Sequence, residues 1–487
     1  MKKLLLIFIL LGTVRFGLSQ SLPKAVAELT DGGVFNGYLY GNGISDILFQ
    51  DSTIWVATNY GLNKSSDTGK FWTSYGSKEL IGKGGVSAMT SMDSSTLWIA
   101  TVFDTVVGDG SSLIAGGGLS YSRDNGDTWI HIPQPVDDKD EPDYFPTTTN
   151  VQNTTWDIAF VDSTIWIASW GGGLRRSDDM GKTWTVVTTD GKVFDVKNNL
   201  NHVAFSLLSE NGNIWVGTAE GISKSSDDGA TWERFTHQNQ EVPISGNFVV
   251  SLAYQEYNNT IWAATNSAVD TSERRGVSKS TNGGHTWEVY LEGVFVHNFA
   301  FDGPRVYAAS DDGMLFSDDG GENWYKVPPI EDKVTHDELI GDVFYSAGVQ
   351  QITNGSRVWL GGSDGMAYTE DNGNTWRVIR SFVSTKVRTD PAVYAYPSPF
   401  SPSRDDYIRF QFDLAQSGDV KIVVYDFAMV EVATISGYYE IADKTMSDRN
   451  IRWDGKNNAG DTAASGVYFF RAEINGKVSW GKLVIIN

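Results

Sequence analysis

The chain has 487 residues, enough for two or three domains, with a formal net charge of −22 and no cysteine. A surface this acidic repels nucleic acid and anionic lipid, so neither is expected as a partner. The missing thiols exclude disulfides, thiol nucleophiles, thiolate metal sites and a lipid-modified N-terminal Cys.

The chain opens with MKKLLLIFILLGTVRFGLSQ: two Lys precede an apolar run over 4–11, and Gly17 and Ser19 lead up to Gln20. This is the pattern of a secretory signal peptide over residues 1–19, too short to span a bilayer. No later apolar run approaches the about 18 residues of a membrane span. The expectation is a chain secreted or held at the outer cell surface, with no transmembrane segment. Residues 20–44 read as a lead-in.

From residue 45 to 382 one pattern recurs. Its most visible part is an eight-residue box: SSDTGKFW, SRDNGDTW, SDDMGKTW, SSDDGATW, STNGGHTW, SDDGGENW and TEDNGNTW. Seven copies occur, with Gly-to-Gly spacings of 57, 55, 48, 55, 37 and 52 residues. Upstream of each box lies an alternating, β-branched run: TIWVAT, TLWIAT, TIWIAS, NIWVGT, TIWAAT, RVYAAS and RVWLGG. A short run leads into the box (GLNKS, GLSYS, GISKS), another starts at its Trp, and an apolar stretch precedes the whole (SDILFQ, WDIAFV, HNFAFD). Each unit is therefore four short strands. Seven tandem units predict an all-β fold, a seven-bladed β-propeller.

The box is the hairpin between the third and fourth strands. Its Gly supplies positive φ and its Asp locks the turn by accepting N–H bonds, so Asp67, Asp124, Asp179, Asp227, Asn282, Asp319 and Asp371 are expected to be structural. Blade five has Asn282 in the Asp place, and blade one has Phe71 for Thr. The Trp residues fill the spaces between blades, which accounts for 13 of the 17 Trp. These boxes resemble the Asp-box (BNR) repeats of sialidases, sortilin-type receptors, xyloglucanase-type glycosidases and photosystem-assembly propellers. The resemblance implies the fold; those families share the corner clamp and differ in chemistry.

In a propeller the box turns lie on one face, and the second-to-third and fourth-to-first connections lie on the other. Insertions fall on that other face. The distance between the two repeat Trp inside a blade is 17 residues in blade one, but 31 in blade two and 25 in blade five. Long connections also join Trp129 to Trp166 and Trp324 to Trp359. The candidate ligand residues on this face are Tyr60, Phe103, Asp104, Trp170, Glu220, Asp270, Arg274, Arg275, Asp311, Asp312 and Asp364. Aromatics beside carboxylates suit sugar recognition, the ring packing on the sugar and the acid taking its hydroxyls. The acidic run Asp137, Asp138, Lys139, Asp140, Glu141 could take Ca²⁺ but lacks the spacing of a defined calcium loop, and no other cofactor or metal is expected.

The enzyme families among the resembling proteins imply residues to look for. Sialidases carry an Arg triad and an Arg-Ile-Pro motif before the first box. Residues 21–64 contain no Arg, and Arg-Ile-Pro occurs nowhere. Xyloglucanase-type enzymes place their cleft between two propellers, and this chain has room for one. The six His show no paired metal spacing, and no Gly-x-Ser-x-Gly elbow or P-loop is present.

After residue 382 the repeat stops. A linker over 383–393 leads into YPSPFSPS and then alternating runs: Ile408, Phe410, Phe412, Leu414; Val420, Ile422, Val424; Tyr468, Phe470, Ala472, Ile474. These predict a small β-sandwich over 394–487. YPSPFSPS, VYDFAMVEVATI, WDGKNNAGDTAASGVYFFRAE and KLVIIN resemble the FlgD/Vpr-type Ig-like domain, whose relatives serve as sorting domains of type IX secretion. The resemblance implies export and surface attachment, with the secretion machinery as a partner of this domain. The leading functional expectation is a non-catalytic propeller holding a glycan or an extracellular protein. The alternative is a glycoside hydrolase using two carboxylates of the inserted face.

Overall fold

The β-branched, alternating runs fold as strands from end to end. The computed structural model describes residues 34–37, 39–76, 80–108, 110–136, 149–268, 270–335, 337–381, 393–402, 407–414, 416–440 and 448–486. Within them every repeat forms its own antiparallel sheet of four strands in chain order. The inner strands are Ile44–Gln50, Gly85–Ser91, Thr155–Val161, Ala204–Glu210, Phe248–Gln255, Val296–Asp302 and Phe344–Ile352. Each packs against the inner strands of the sheets before and after it, and the seventh packs against the first. The result is a closed ring of seven blades, a β-propeller. Each four-stranded blade is continuous in sequence, so the ring closes without a strand shared between the last blade and the first. The strand Val34–Gly37 adds a fifth member to the first blade, antiparallel to Trp72–Tyr75.

The box supplies most of that packing. In blade three Ser177 donates to Asp179 Oδ1 at 2.8 Å, Gly181 N–H donates to Ser177 Oγ at 2.9 Å, and Thr183 gives both its N–H and its hydroxyl to the Asp179 carboxylate. Asn282 serves in blade five because its Oδ1 still accepts the Thr286 N–H at 3.0 Å, while its amide turns to the Thr286 hydroxyl. Phe71 in blade one keeps the backbone bond to Asp67 at 2.9 Å, having no hydroxyl to give.

The box Gly has a second purpose. A Cβ on Gly126 would stand 2.7 Å from Trp55, on Gly229 2.7 Å from Trp166, and on Gly321 2.2 Å from Trp262. In each case the Trp belongs to the second strand of the preceding blade. Gly69 of the first blade sits likewise on Trp359 of the seventh, at 3.5 Å. The box Trp of the following blade then meets the same indole edge-on, as in Trp55–Trp129, Trp166–Trp232 and Trp262–Trp324 at 6.1–6.3 Å. A third-strand cation covers the indole: Lys64 over Trp55, Arg176 over Trp166, Lys224 over Trp215 and Lys279 over Trp262. Arg176 also reaches the Asp228 carbonyl of the next box at 2.7 Å.

After the propeller come two sheets packed face to face. Val393–Tyr396, Ile408–Asp413 and Asp448–Trp453 form one; Glu431–Tyr439, Gly418–Tyr425, Gly466–Ile474 and Lys477–Ile485 form the other. Their alternating apolar residues, among them Phe410, Phe412, Ile422, Val424, Phe470 and Leu483, share one core.

Two neighbouring glycines separate backbone strain from blade contact. Gly320 and Gly321 both have positive φ, but a Cβ on Gly320 meets nothing within 4 Å. Gly321→Ala is expected to destabilise the chain by about 1–3 kcal/mol more than Gly320→Ala. Equal losses in urea melts would show that the contact with Trp262 does not matter.

Candidate functional site

Every inner strand carries a β-bulge at the same register. The pairing slips between Ile44 and Asp46, Val86 and Ala88, Thr155 and Asp157, Ala204 and Ser206, Val249 and Ser251, Val296 and Asn298, and Phe344 and Ser346. A bulge re-aims side chains. Here it sits at the start of each inner strand, on the face where the second-to-third and fourth-to-first connections gather. The bulged residues Ser45, Ser87, Trp156, Phe205, Val250, His297 and Tyr345 thus ring the mouth of the central channel on that face.

The ring is stitched from blade to blade. Ser45 Oγ donates to the Val86 carbonyl at 2.9 Å, and Ser87 Oγ to the Thr155 carbonyl at 2.7 Å. Asp157 Oδ2 accepts the Leu207 N–H of the next blade at 2.8 Å, and Asn298 Oδ1 accepts that of Ala347 at 3.3 Å. Longer contacts of 3.4 Å run from Ser206 to Val249 and from Ser346 to Ile44.

One of these stitching residues, Asp157, is a carboxylic acid, and Asp46 holds the same place in blade one, where its Oδ1 accepts the N–H of its own neighbour Ile47 at 2.8 Å. Burial pushes the Asp157 carboxyl up to about 7; backbone bonds from Leu207 and Ile158 oppose the rise and the Asp46 charge adds to it. Burial likewise pushes Asp46 up to about 6, against a bond from the Ile47 N–H.

Aromatic side chains surround one arc of the mouth. Trp170 meets Phe205 edge-on at 5.6 Å, and Phe205 lies 4.5 Å from Phe248. Trp156 and Trp170 pack half-buried on the same apolar cluster, which includes Phe194 and Val203. Across the mouth His297 contacts Phe295 and Tyr345 at 4.8 and 5.4 Å and bonds Asp311 at 2.7 Å. Burial, with the Asp311 charge behind it, raises the Tyr345 phenol.

The other candidate residues have partners of their own. Tyr60 packs on Tyr40 at 5.5 Å. Phe103 lies 3.9 Å under the Lys83 ammonium, and Asp104 stands exposed beside it. Both belong to the strand Leu97–Val106, which pairs with Ser112–Ser122. The blade-two insertion is thus a protruding hairpin arm instead of a loop. Glu220 faces Arg234 at 3.7 Å. Asp270 accepts from Ser272 at 2.9 Å, which with the Ser272 hydroxyl holds its carboxyl low. Arg274 pairs with Glu292 at 2.7 Å, and Arg275 lies over Phe295 at 5.0 Å. Asp312 is exposed. Residues 137–141, the calcium expectation, lie outside the described residues. Among the described residues no three His, Asp or Glu stand close enough to hold a metal ion.

Asp364 is a correction. It does not face a ligand: its side chain is 10% exposed and lies between Arg380 and Arg409. Arg409 belongs to the sandwich, so this is the domain junction. Arg380 donates to the Asp364 carboxylate at 2.8 Å, to Asp337 at 3.2 Å and to the Glu338 carbonyl. Asn450 of the sandwich reaches Asp337 at 3.0 Å, and Arg452 reaches Glu338 at 2.9 Å. Burial raises the Asp364 carboxyl, but the two guanidiniums outweigh it and hold it below its ordinary value. Asp337 and Glu338 lie on a hairpin, Ile330–Asp332 with Asp337–Leu339, in the long connection before blade seven. The sandwich therefore docks on the inserted face.

Sequence reading missed Trp156, His297, Tyr345, Asp46 and Asp157. A signal was present: the polar pairs Ser-Asp, Trp-Asp and His-Asn open three of the inner runs at the same place.

Comparison with known proteins supports the fold. No family model matches the chain and no curated protein matches it. Among solved structures it is similar to a GH74 enzyme of Niastella koreensis (14% identity, TM-score 0.51, covering 94% of this chain and 75% of that one). It is similar at the same identity and TM-score to an ancestral GH74 enzyme, covering 92% and 62%. A third is PorZ, a surface component of the type-IX secretion system of Porphyromonas gingivalis (15%, 0.38, 90% and 64%). The chain thus spans less than two thirds of the last two. The two GH74 likenesses show a β-propeller fold. No helix of the described residues is long and apolar enough to cross a membrane.

Two outcomes follow. Since the Asp157 carboxyl is raised, its protonated form stabilises the fold below about pH 4, and that contribution fades as pH rises through about 7. Asp157→Asn, neutral throughout, loses one acceptor oxygen at every pH but not the pH dependence, so its stability relative to the parent should rise by roughly 1–3 kcal/mol between pH 4 and pH 8; parallel pH curves in urea melts would refute this. Asp364→Ala strands two buried guanidiniums and should cost about 3–5 kcal/mol, splitting the calorimetric transition of propeller and sandwich. An unchanged single transition would mean that the junction is not held there.

Proposed function

We propose that the chain is an exported, non-catalytic propeller that holds a glycan or an extracellular protein at the mouth of its central channel, with the sandwich serving export and surface attachment. The observation that carries this reading is the half-buried aromatic arc at the mouth, with Trp156 and Phe205 set there by the bulges and Trp170 by the connection after Thr164–Ser169. Indole faces held rigidly on an apolar bed lose little entropy when a ligand stacks on them. The surrounding charged groups are paired: Glu220 with Arg234, Arg274 with Glu292, Asp311 with His297. Paired carboxylates orient hydroxyls or amides well and are poor proton donors. The leader-like first residues and the FlgD/Vpr-like tail support the surface placement.

A second reading, glycoside hydrolysis, is favoured by one observation. Asp157 and Asp46 are raised to about 7 and about 6, so one of them holds a proton near neutrality, as a general acid must. Against it, both oxygens of Asp157 already accept backbone N–H groups, from Ile158 and Leu207 at 2.8 Å.

Immobilised polysaccharides and cell-surface protein extracts, offered to the full chain with reducing ends followed in parallel, separate the readings. Binding without turnover is expected, weakened about tenfold by Trp170→Ala or Trp156→Ala. New reducing ends that vanish in Asp157→Asn would replace binding by hydrolysis. Binding untouched by either Trp change would remove the mouth as the site.

A further inference from the structure

The sandwich has two outer faces, and they differ. That of the three-stranded sheet carries Tyr394, Tyr396, Arg409 and Gln411, all at most 7% exposed because the propeller covers them. That of the four-stranded sheet is bare, yet it is far from the polar surface expected of a solvated sheet face. Strand register places Tyr425 beside Phe469 and Phe469 beside Lys482. One step along, Val423 lies beside Arg471 and Arg471 beside Trp480. Trp480 is 48% exposed and Phe427, just past the end of its strand, 78%.

The rings form a strip of shallow tilt. Tyr425 and Trp480 lie 5.7 Å apart at 30°, and Phe427 and Phe469 6.3 Å apart at 36°. With Trp480 and Phe427 exposed, these rings form one aromatic strip across strands spaced about 4.8 Å apart. Polar groups interleave with it. Arg471 is neutralised by Glu473 at 2.8 Å. Thr434, Ser436 and Tyr438 line the adjacent strand on the same face. Its cations Lys421, Arg471 and Lys482 are balanced by Asp419, Glu431 and Glu473. A face without net charge, on a chain of −22, offers no surplus cations to a polyanion or an anionic membrane. It offers stacking surfaces with hydroxyl, ammonium and carboxylate groups between them, the complement of an uncharged polymer rich in hydroxyls.

We propose that this face of the sandwich, centred on Tyr425, Phe469 and Trp480, binds a neutral polysaccharide chain, as a site separate from the propeller mouth. The extended sugar chain lies along the strip, its C–H faces on the rings and its hydroxyls on Lys482, Arg471 and Glu473. The sandwich then attaches the propeller to a carbohydrate matrix while its other face fixes the propeller's orientation.

The test is affinity electrophoresis of the full chain through gels containing hydroxyethyl cellulose, laminarin or dextran, with polygalacturonate as the anionic control. Retardation is expected in at least one neutral gel and not in polygalacturonate. Trp480→Ala and Tyr425→Ala should each weaken it about tenfold without shifting the thermal melt, since both residues lie on the outside of the core. Trp156→Ala and Trp170→Ala at the mouth should leave it unchanged, so that failure here and failure of the mouth reading are told apart. No retardation in any neutral gel would overturn the proposal, as would retardation that survives Trp480→Ala or occurs only with polygalacturonate. Light scattering that shows a dimer undone by Trp480→Ala would overturn it too, assigning the face to a second copy, and loss of a bound protein in the same variant would assign it to a protein partner.

Discussion

The ring depends on one recurring contact: in six of the seven boxes the glycine rests on an indole of the preceding blade, and the exception is Gly373, whose preceding blade carries Tyr307 in that place. A propeller whose blades are each continuous in sequence has no shared strand to hold first to last, so blade-to-blade packing must be equally good at every junction. The box achieves this by placing a residue without Cβ where the indole needs the space. A methyl group 2.2 Å from Trp262 would push two blades apart, and a displacement at one junction is carried around a closed ring. Hydrogen bonds from Ser and Thr to the box Asp serve that contact, because they fix the turn that presents the glycine. Asn282 is tolerated because the turn needs only an acceptor oxygen. Glycine is kept in all seven boxes because the turn needs a positive φ, and at six junctions the neighbouring indole also needs an absent side chain.

The same closure shapes the mouth. Seven inner strands converging on one axis crowd together at their ends. A bulge at the start of each strand re-aims one residue there. In blades one and two the bulged Ser45 and Ser87 themselves bond across to the next blade, whereas in blade three the bulged Trp156 lies at the mouth and Asp157 makes the tie to blade four. A carboxylate in that tie is costly, and burial raises the Asp157 carboxyl that makes it. Serine does the same work in blades one, two, four and seven without a charge.

How much of this could be read in the sequence follows from range. The box, the Trp-bearing strand and the alternation of the sandwich are local patterns, and each became the element it predicted. Glycine's role in the junction was half legible: positive φ can be read from the turn, but contact with an indole one blade away cannot. The bulges were not legible, since an extra residue in one strand of a pair appears only once the register is known. For that reason the residues named from sequence, such as Glu220 and Asp312, are loop residues, while Trp156, His297 and Tyr345 at the bulges could be named only from the register. The blade-two insertion shows the same limit from the other side: added length marks where the chain departs from its repeat, and the pairing of Leu97–Val106 with Ser112–Ser122 decides that the departure is an arm.

Asp364 carries the last step. A loop tip on the inserted face of blade seven looks like the equivalent tips of other blades, and only the arrival of Arg409 turns it into a junction. Burying two guanidiniums and a carboxylate gains little net stability over an apolar contact. Geometric definition is what such a cluster supplies, because each donor must find its acceptor. Arg380, Arg409 and Arg452 find theirs on Asp364, Asp337 and Glu338, so the sandwich is held at blade seven by directional bonds, with the half-exposed Trp156 and Trp170 of blade three on another part of the ring. The orientation follows from the chain: Arg380 directly follows the last blade's outer strand, and the docking hairpin is inserted just before that blade. The junction thus lies at blade seven and the aromatic arc at blade three, both on the inserted face.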